Sequence, residues 1–310
     1  MKVLVTGGAG FIGSHLVDRL VANGHAVAVV DNLSTGRIEN LNRAAKFYNL
    51  DIRSNDLQTV FDTERPDVVS HHAAQIDVRR SVEDPLYDTE VNVLGTVNVL
   101  ECCRKNGVKK IVFASSGGCV YGDPEYLPVD EKHPAKPAAP YGLAKSVGER
   151  YITLYRQMYG IKGVSLRYGN VYGPRQDVNG EAGVIAIFIG QLLNGGQPRI
   201  FGDGDQTRDY VYVDDVVEAN MAAIKNGAEG DINIGSGIAT SVNDLYGMVA
   251  VAVNNYRRPV YDAPRRGELH AIALATSKAK RELGWSARTS LYEGITKTTA
   301  SWQKTFEAVV

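Results

Sequence analysis

The chain predicts an α/β fold: a Rossmann-type doubly wound parallel sheet with a smaller C-terminal mixed α/β substrate lobe. Three observations carry that prediction. Short β-branched runs alternate with helix-period segments through the first half. A glycine-rich turn, Thr6-Gly7-Gly8-Ala9-Gly10-Phe11-Ile12-Gly13, lies between the first run and the first helical segment. The alternation then loosens after about Tyr172, which predicts a mainly dinucleotide-binding domain over 1–172 and a mainly substrate-binding lobe over 173–310. Some strands and helices of the second half are expected to return to the first domain.

Taken in order, residues 2–6 read as a strand and 13–22 as a helix, with Leu16 and Leu20 one turn apart and Gly24 placed to end it. Residues 26–30 are apolar throughout, as suits a strand covered on both faces. Further strands are expected at 46–49, 67–71, 110–114 and 163–167, with helices near 56–63, 92–105 and 141–159. Beyond Tyr172, helical stretches at 184–194, 214–225 and 242–253 alternate with strand-like 211–213 and 231–234. The Gly- and Pro-rich pieces at 179–183 and 264–267 read as loops reaching over a site.

Composition narrows the functional classes. A length of 310 residues fits one large domain or two fused ones. The formal charge of −1 creates no field for nucleic acid or an anionic membrane, so neither is an expected partner. No apolar run approaches the ~20 residues a membrane-spanning helix needs. Cys102, Cys103 and Cys119 are too few and too oddly spaced for a disulfide framework or zinc site. Reduced thiols, a cytoplasmic location, no secretory leader ahead of Lys2 and no metal are the expectations.

The glycine turn has the strand–turn–helix context that a dinucleotide site requires. Gly7, Gly10 and Gly13 allow a tight turn, close approach of backbone to a pyrophosphate, and close helix–strand packing. The helix start then offers free N–H groups to the phosphates. Asp31 ends the second strand 18 residues after Gly13. A carboxylate there accepts from both adenosine ribose hydroxyls and repels a 2′-phosphate, which selects NAD over NADP; Arg37 is the neighbour that argues the other way. Without a ligand, the same turn would simply pack a helix on a strand.

Tyr141 and Lys145 stand four apart on one face of a helix that Pro140 can start. A phenol titrating near pH ~10 is a poor base. A neighbouring ammonium and the positive nicotinamide of NAD are both expected to lower that value. In isolation this spacing is ordinary helix surface. It gains meaning beside Ser115 and Ser116, which end an apolar strand on the side where parallel sheets bind ligands. Ser116 is then the hydroxyl that meets the substrate hydroxyl deprotonated by Tyr141, with Ser115 as the alternative.

With these motifs the chain resembles the extended short-chain dehydrogenase/reductases. Asp31-Asn32-Leu33-Ser34-Thr35-Gly36, Val120-Tyr121-Gly122 and the run from Arg167 to Arg175 most resemble UDP-galactose 4-epimerases and close nucleotide-sugar epimerases. The resemblance continues through Phe201-Gly202-Asp203-Gly204, Arg208-Asp209-Tyr210 and Arg265-Arg266-Gly267-Glu268. It implies NAD-dependent 4-epimerisation of a UDP-hexose through a transient 4-keto sugar. Phe11, Ile12, Asn32, Ser34, Thr35, Gly36, Ser115 and Tyr168 would join the glycines, Asp31, Tyr141 and Lys145 around NAD. Asp51 and Ile52 would sit at the adenine, Ala73 and Ala74 along the cofactor, and Asn92 near its phosphate and ribose. Asn170, Gly183 and Val184 would contact the sugar nucleotide, Arg208 and Arg265 its phosphates, and Glu268 the uridine ribose. A solvated ion pair is the plain alternative for either arginine. Helices 91–105 and 141–158 would form a four-helix bundle across a homodimer, although Tyr151, Ile152, Leu154 and Tyr155 cover more than one face.

Several competitors share the first oxidation. Dehydratases carry an Asp-Glu pair after the hydroxyl position and decarboxylases a Glu, whereas Gly117 and Gly118 follow Ser116 and no carboxylate precedes Tyr121. A non-catalytic NAD sensor would have lost Tyr141 or Lys145. UDP-glucuronate stays open because Arg79 and Arg80 are expected beside the sugar. UDP-N-acetylhexosamine stays open because Ile272 stands where some relatives carry a bulky aromatic. His71 and His72 read as packing residues rather than metal ligands.

Overall fold

The computed structural model describes residues 1–177, 183–265 and 269–307. Strands β1 (Lys2–Thr6), β2 (Ala26–Asp31), β3 (Lys46–Asn49), β4 (Val68–His71), β5 (Lys110–Ser116) and β6 (Lys162–Tyr168) follow the alternation read above. Later come β7 (Asn170–Tyr172), β8 (Arg199–Phe201), β9 (Thr207–Tyr212), β10 (Gly230–Ile234), β11 (Ala239–Ser241) and β12 (Val260–Asp262). Seven of these form one parallel sheet in the order β3-β2-β1-β4-β5-β6-β10. Connections run to opposite sides from β1 and β4, so the crevice at the carboxyl ends of those two strands is where a ligand fits. β10 returns to this sheet from the second half of the chain, pairing with β6 from Gly230↔Val164 to Ile234↔Tyr168.

Helices α1 (Phe11–Ala22), α2 (Leu57–Glu64), α3 (Val78–Glu83), α4 (Pro85–Thr89), α5 (Gly95–Lys105), α6 (Gly117–Val120) and α7 (Pro140–Tyr159) belong to the first half. They are followed by α8 (Val184–Leu193), α9 (Val213–Lys225), α10 (Val242–Val253), α11 (Ser277–Leu283) and α12 (Leu291–Glu307). One face of the sheet is covered by Leu16, Val17 and Leu20 of α1 with Val216, Val217 and Ile224 of α9. The other is covered by Phe61 of α2, Val99 and Leu100 of α5, and Ile152 and Tyr155 of α7. A third core, with Tyr172, Phe188, Tyr212, Leu245, Ile295 and Trp302, holds the lobe made by β7, β9, β11 and helices α8, α10 and α12.

Several boundaries differ from expectation for local reasons. The first helix starts at Phe11, not residue 13, because Gly10 takes an extended conformation (φ −78°, ψ −179°) and ends the turn there. Residues 211–213 are not a separate strand: β9 runs through Tyr212, and Val213 opens α9 with Asp214 and Asp215 in its positively polarised first turn. The helix expected from residue 92 is wider at its start, where Glu90–Leu94 is a π-helical turn that runs into α5.

Candidate active site

The glycine turn brings three backbone segments to near-contact. Gly7 adopts φ +70° and donates its N–H to Val30 O at 2.8 Å. A Cβ on Gly7 would lie 2.6 Å from Ala73 N, and one on Gly13 would lie 2.1 Å from Gly7 O. α1 begins directly after Gly10 with no side chain capping it. Its first N–H groups are therefore available to an anion. At the end of β2, Asp31 accepts from Ala9 N at 3.0 Å and Leu33 N at 2.8 Å. Each oxygen keeps further acceptor capacity for a ribose hydroxyl.

These groups open on a cavity of about 440 Å³ at the β1/β4 crevice. Of the residues expected at the cofactor, Gly7, Gly10, Phe11, Ile12, Gly13, Asp31, Asn32, Ser34 and Thr35 line it. So do Asp51, Ile52, Ala73, Ala74, Ser115, Tyr141, Lys145 and Tyr168. Gly36 packs instead against Asp31, whose Oδ1 would be 2.8 Å from an added Cβ. Asn92 stands behind the wall: it accepts from Gln75 N and donates to Gln75 O and Asp88 Oδ1, each at 2.9 Å. Arg53 grips Asp51 through Nε and Nη2, both at 2.9 Å, and this pairing holds the Asp51 carboxyl down at about 2. Arg37, which argued for a 2′-phosphate, lines the same cavity and pairs with the exposed side chain of Asp177 at 3.2 Å. Gln75, Ile76, Tyr87, Val91 and Gln176 also line the cavity, and nothing in their local sequence marks them.

α7 delivers the reactive pair. Pro140 occupies its first turn, and the Tyr141 N–H donates to Ser81 Oγ of α3 at 3.2 Å. Lys145 Nζ donates to Ala114 O at 2.8 Å and sits 5.8 Å from the Tyr141 ring centroid. The protein's own surroundings act against the expected lowering of the tyrosine. Burial pushes the Tyr141 phenol far above its ordinary range, and the nearby Cys119 and Asp88 push the same way. Burial also brings Lys145 down to about 8, against the opposing charges of Asp88, Glu149 and Cys119. Enclosure by protein disfavours both charged forms.

The two serines at the end of β5 are not equivalent. Ser115 Oγ donates to the buried Glu149 carboxylate at 2.6 Å, which commits its proton. Burial pushes the Cys119 thiol on α6 up, and the neighbouring Ser116 hydroxyl acts against that rise. A Cβ on Gly118 would lie 3.8 Å from Asn170 Oδ1 and 3.9 Å from Ser116 Oγ, so these two polar groups border one small space. Arg208 on β9 donates to Thr207 O at 2.8 Å, and its charge reaches Cys119. Arg265 is exposed, with its guanidinium 3.9 Å from the Phe201 ring centroid. Gly183 and Val184 form the start of α8, where an added Cβ on Gly183 would lie 3.0 Å from Nε2 of the cavity-lining Gln176, and Glu268 lies outside the described residues. Ile272 is fully buried with Tyr121, Val129 and Leu274.

His71 bonds Thr6 Oγ1 at 2.6 Å and Thr96 Oγ1 at 3.1 Å, and His72 bonds Ser70 Oγ at 3.0 Å. Burial drives both imidazoles down to about 3, so they stay neutral. Among the described residues no three His, Cys, Asp or Glu side chains are grouped to hold a metal, and no helix is long and apolar enough to cross a membrane.

Comparison with known proteins agrees with this geometry. A Mycolicibacterium smegmatis protein named UDP-glucose 4-epimerase is 47% identical over 304 residues, covering 96% of this chain and 97% of its own. The Thermotoga maritima UDP-glucose 4-epimerase solved with UDP-glucose superposes with a TM-score of 0.97 at 47% identity, covering 99% of this chain and 100% of that one. The Thermus thermophilus UDP-glucose 4-epimerase complexed with NAD gives a TM-score of 0.93 at 45% identity, covering 98% and 99%. The model of the NAD dependent epimerase/dehydratase family matches residues 3–235, and with that match added to the glycine turn and the Tyr141–Lys145 pair, the chain belongs to this family.

Proposed function

We propose that this protein interconverts UDP-glucose and UDP-galactose by NAD-dependent 4-epimerisation through a transient 4-keto sugar. The observation that carries this reading is one cleft that runs from the uncapped start of α1 past Asp31 to Tyr141, Lys145 and Ser115. Ser116 and Asn170 border a small space beside it. The relatives named UDP-glucose 4-epimerase support the same substrate. In this reading the glycine turn holds the pyrophosphate, Asp31 the adenosine ribose, and Lys145 and Tyr141 the opposite end of the cofactor. NAD, when bound, supplies the reversible hydride acceptor and a positive charge beside the Tyr141 phenol.

Tyr141 takes the proton of the carbon-4 hydroxyl, with Ser116 donating to or accepting from the same oxygen. Asn170, Arg208 and Arg265 hold the nucleotide diphosphate, so anchorage there lets the keto sugar turn over without leaving. Residues 117–120 carry no carboxylate. Nothing in that stretch directs the keto sugar toward dehydration or decarboxylation, and Tyr141 returns its proton on the other face. Residues 1–172 mainly serve NAD and 173–310 mainly the sugar nucleotide. The exposed Leu143, Leu154 and Met158 lie on one stripe of α7 beside exposed Leu94, and they support a homodimer bundle. Buried free Cys102 and Cys103 support a cytoplasmic location.

Tyr141→Phe is expected to lower turnover of UDP-glucose by at least about 10²-fold while NAD stays bound. Near-normal turnover in that variant would sink the assignment. The same assay run with UDP-N-acetylglucosamine and UDP-glucuronate ranks the sugars.

A further inference from the structure

Glu149 stands two turns beyond Tyr141 and one beyond Lys145, so α7 carries all three on one face. That face meets the end of β5 at two successive residues. Lys145 Nζ donates to Ala114 O at 2.8 Å, and Ser115 Oγ donates to Glu149 Oε1 at 2.6 Å. Arg167, the partner of Ser115 across β5 and β6, completes the contact. Its Nε donates to the same Oε1 at 2.8 Å and its Nη2 to Oε2 at 2.7 Å. The guanidinium is fixed in turn by Asp231 at 2.9 Å and by the Tyr121 hydroxyl at 3.0 Å. Ser115, Glu149 and Arg167 are all buried.

Stability alone does not call for this arrangement. Well-packed apolar side chains often replace a buried ion pair without loss. What an apolar pair cannot do is accept the Ser115 proton. A serine hydroxyl has one proton and two lone pairs. Both Glu149 oxygens accept from a guanidinium that stays protonated, so neither carries a proton to donate back. Burial raises this carboxyl, and the bonds from Arg167 and Ser115 act against the rise. The Ser115 proton is therefore directed at α7. Lone pairs are all that its hydroxyl can offer the cleft, which Ser115 lines together with Tyr141, Lys145 and Tyr168. No other group among the described residues bonds that hydroxyl.

We propose that Glu149 is a positioning residue that fixes the Ser115 hydroxyl as an acceptor for the carboxamide N–H of the nicotinamide ring. The inference rests on the cofactor placement proposed above, with Asp31 at the adenosine end and Tyr141 and Lys145 at the other. It does not depend on which sugar is bound. The carboxamide is the one hydrogen-bond donor on that ring, and an acceptor of fixed direction favours one rotation of it. Glu149 thus orders the reacting end of the cleft through Ser115, without touching the bound molecule.

The test compares NAD with 3-acetylpyridine adenine dinucleotide, in which a methyl group replaces the carboxamide nitrogen. Calorimetric titration of the parent should show a preference for NAD of about fivefold, the worth of one such hydrogen bond. Ser115→Ala keeps the Glu149–Arg167 pair and should bring the preference within about twofold of unity, whereas Ser115→Thr keeps the hydroxyl and should retain it. In Glu149→Gln the amide N–H groups must face Arg167 or Ser115, so this preference should shrink as well. In the Ser115→Ala background the same substitution should add less than about twofold. A merely structural Glu149 would lower the melting temperature in both backgrounds and leave the preference as in the parent. Should Glu149→Gln fail to fold, Arg167→Met with Glu149→Leu removes both charges together and serves the same comparison. The proposal is overturned by no preference in the parent, by an unchanged one in Ser115→Ala, or by a Glu149 effect that persists in full without the hydroxyl. An Asp31→Ala variant that binds NAD as tightly as the parent overturns the cofactor placement instead.

Discussion

Gly13 leaves α1 no freedom at its closest point to the turn. The atoms that would meet a new methyl are backbone, Gly7 O at 2.1 Å and Gly8 Cα at 3.0 Å, so no side chain can swing aside. Gly13→Ala must push the helix from the strand, and we expect a stability loss of about 1–3 kcal/mol, as for overpacked cores. NAD affinity should fall at least about tenfold, because the N–H groups that meet the pyrophosphate move with the helix. Calorimetric titration of NAD into the variant checks this, and unchanged affinity would refute it. Such residues are legible in sequence because their role follows from local backbone geometry: the glycine turn, Asp31 at a strand end, Tyr141 and Lys145 one helical turn apart. Gln75 and Asp88 are not, since they reach the site only through a fold that joins segments far apart in the chain. Protonation was hidden for the same reason. Tyr141 beside Lys145 suggests a lowered phenol, and burial together with the charges of Cys119 and Asp88 acts the other way.

Glu64 shows how single elements are pinned to the sheet. At the end of α2 it accepts from Lys46 Nζ at 2.6 Å, from Lys2 Nζ at 3.2 Å and from Tyr48 OH, which ties α2 to β1 and to the edge strand β3. Burial pushes the Glu64 carboxyl up, but the bonds from Lys46, Tyr48 and Lys2 prevail and hold it at about 2. With the folded value below the unfolded one near ~4.3, the stabilisation is complete above that unfolded value and disappears as pH falls through 2. Glu64→Gln is expected to be less stable than the parent from pH 5 to 7 and to converge with it toward pH 2 in urea unfolding. A constant gap across that range would count against the linkage. Long elements with a clean period are readable in advance, and the first six strands fall within two residues of their expected ends. The three-residue strands β7, β8, β11 and β12 are too short to show a period. α12 escapes because Thr298 and Thr299, both buried, interrupt the apolar face that carries Ile295 and Trp302.

Across the whole molecule, Arg167 joins parts that no local pattern connects. From β6 it reaches Glu149 on α7, Asp231 on β10 at 2.9 Å and the Tyr121 hydroxyl at 3.0 Å. Tyr121 in turn donates to Asn233 Oδ1 on β10 at 2.7 Å. Arg167→Met leaves a buried carboxylate uncompensated, and we expect a loss of about 3–5 kcal/mol. Adding Glu149→Leu should restore a large part of it. Urea unfolding of the single and double variants tests the pair, and a double variant no better than the single would show that packing rather than charge is at stake.

The late arrival of β10 also has a consequence for how the protein is made. The end of β6 and the start of β10 are 62 residues apart (230 − 168). At ribosomal rates that is roughly 3–12 s of synthesis. Through that interval β6, with its buried Val164 and Leu166, presents an unpaired edge of N–H and C=O groups. A chain well locked when finished is thus sticky while half-made, and its yield in a cell will depend on what shields that edge during those seconds.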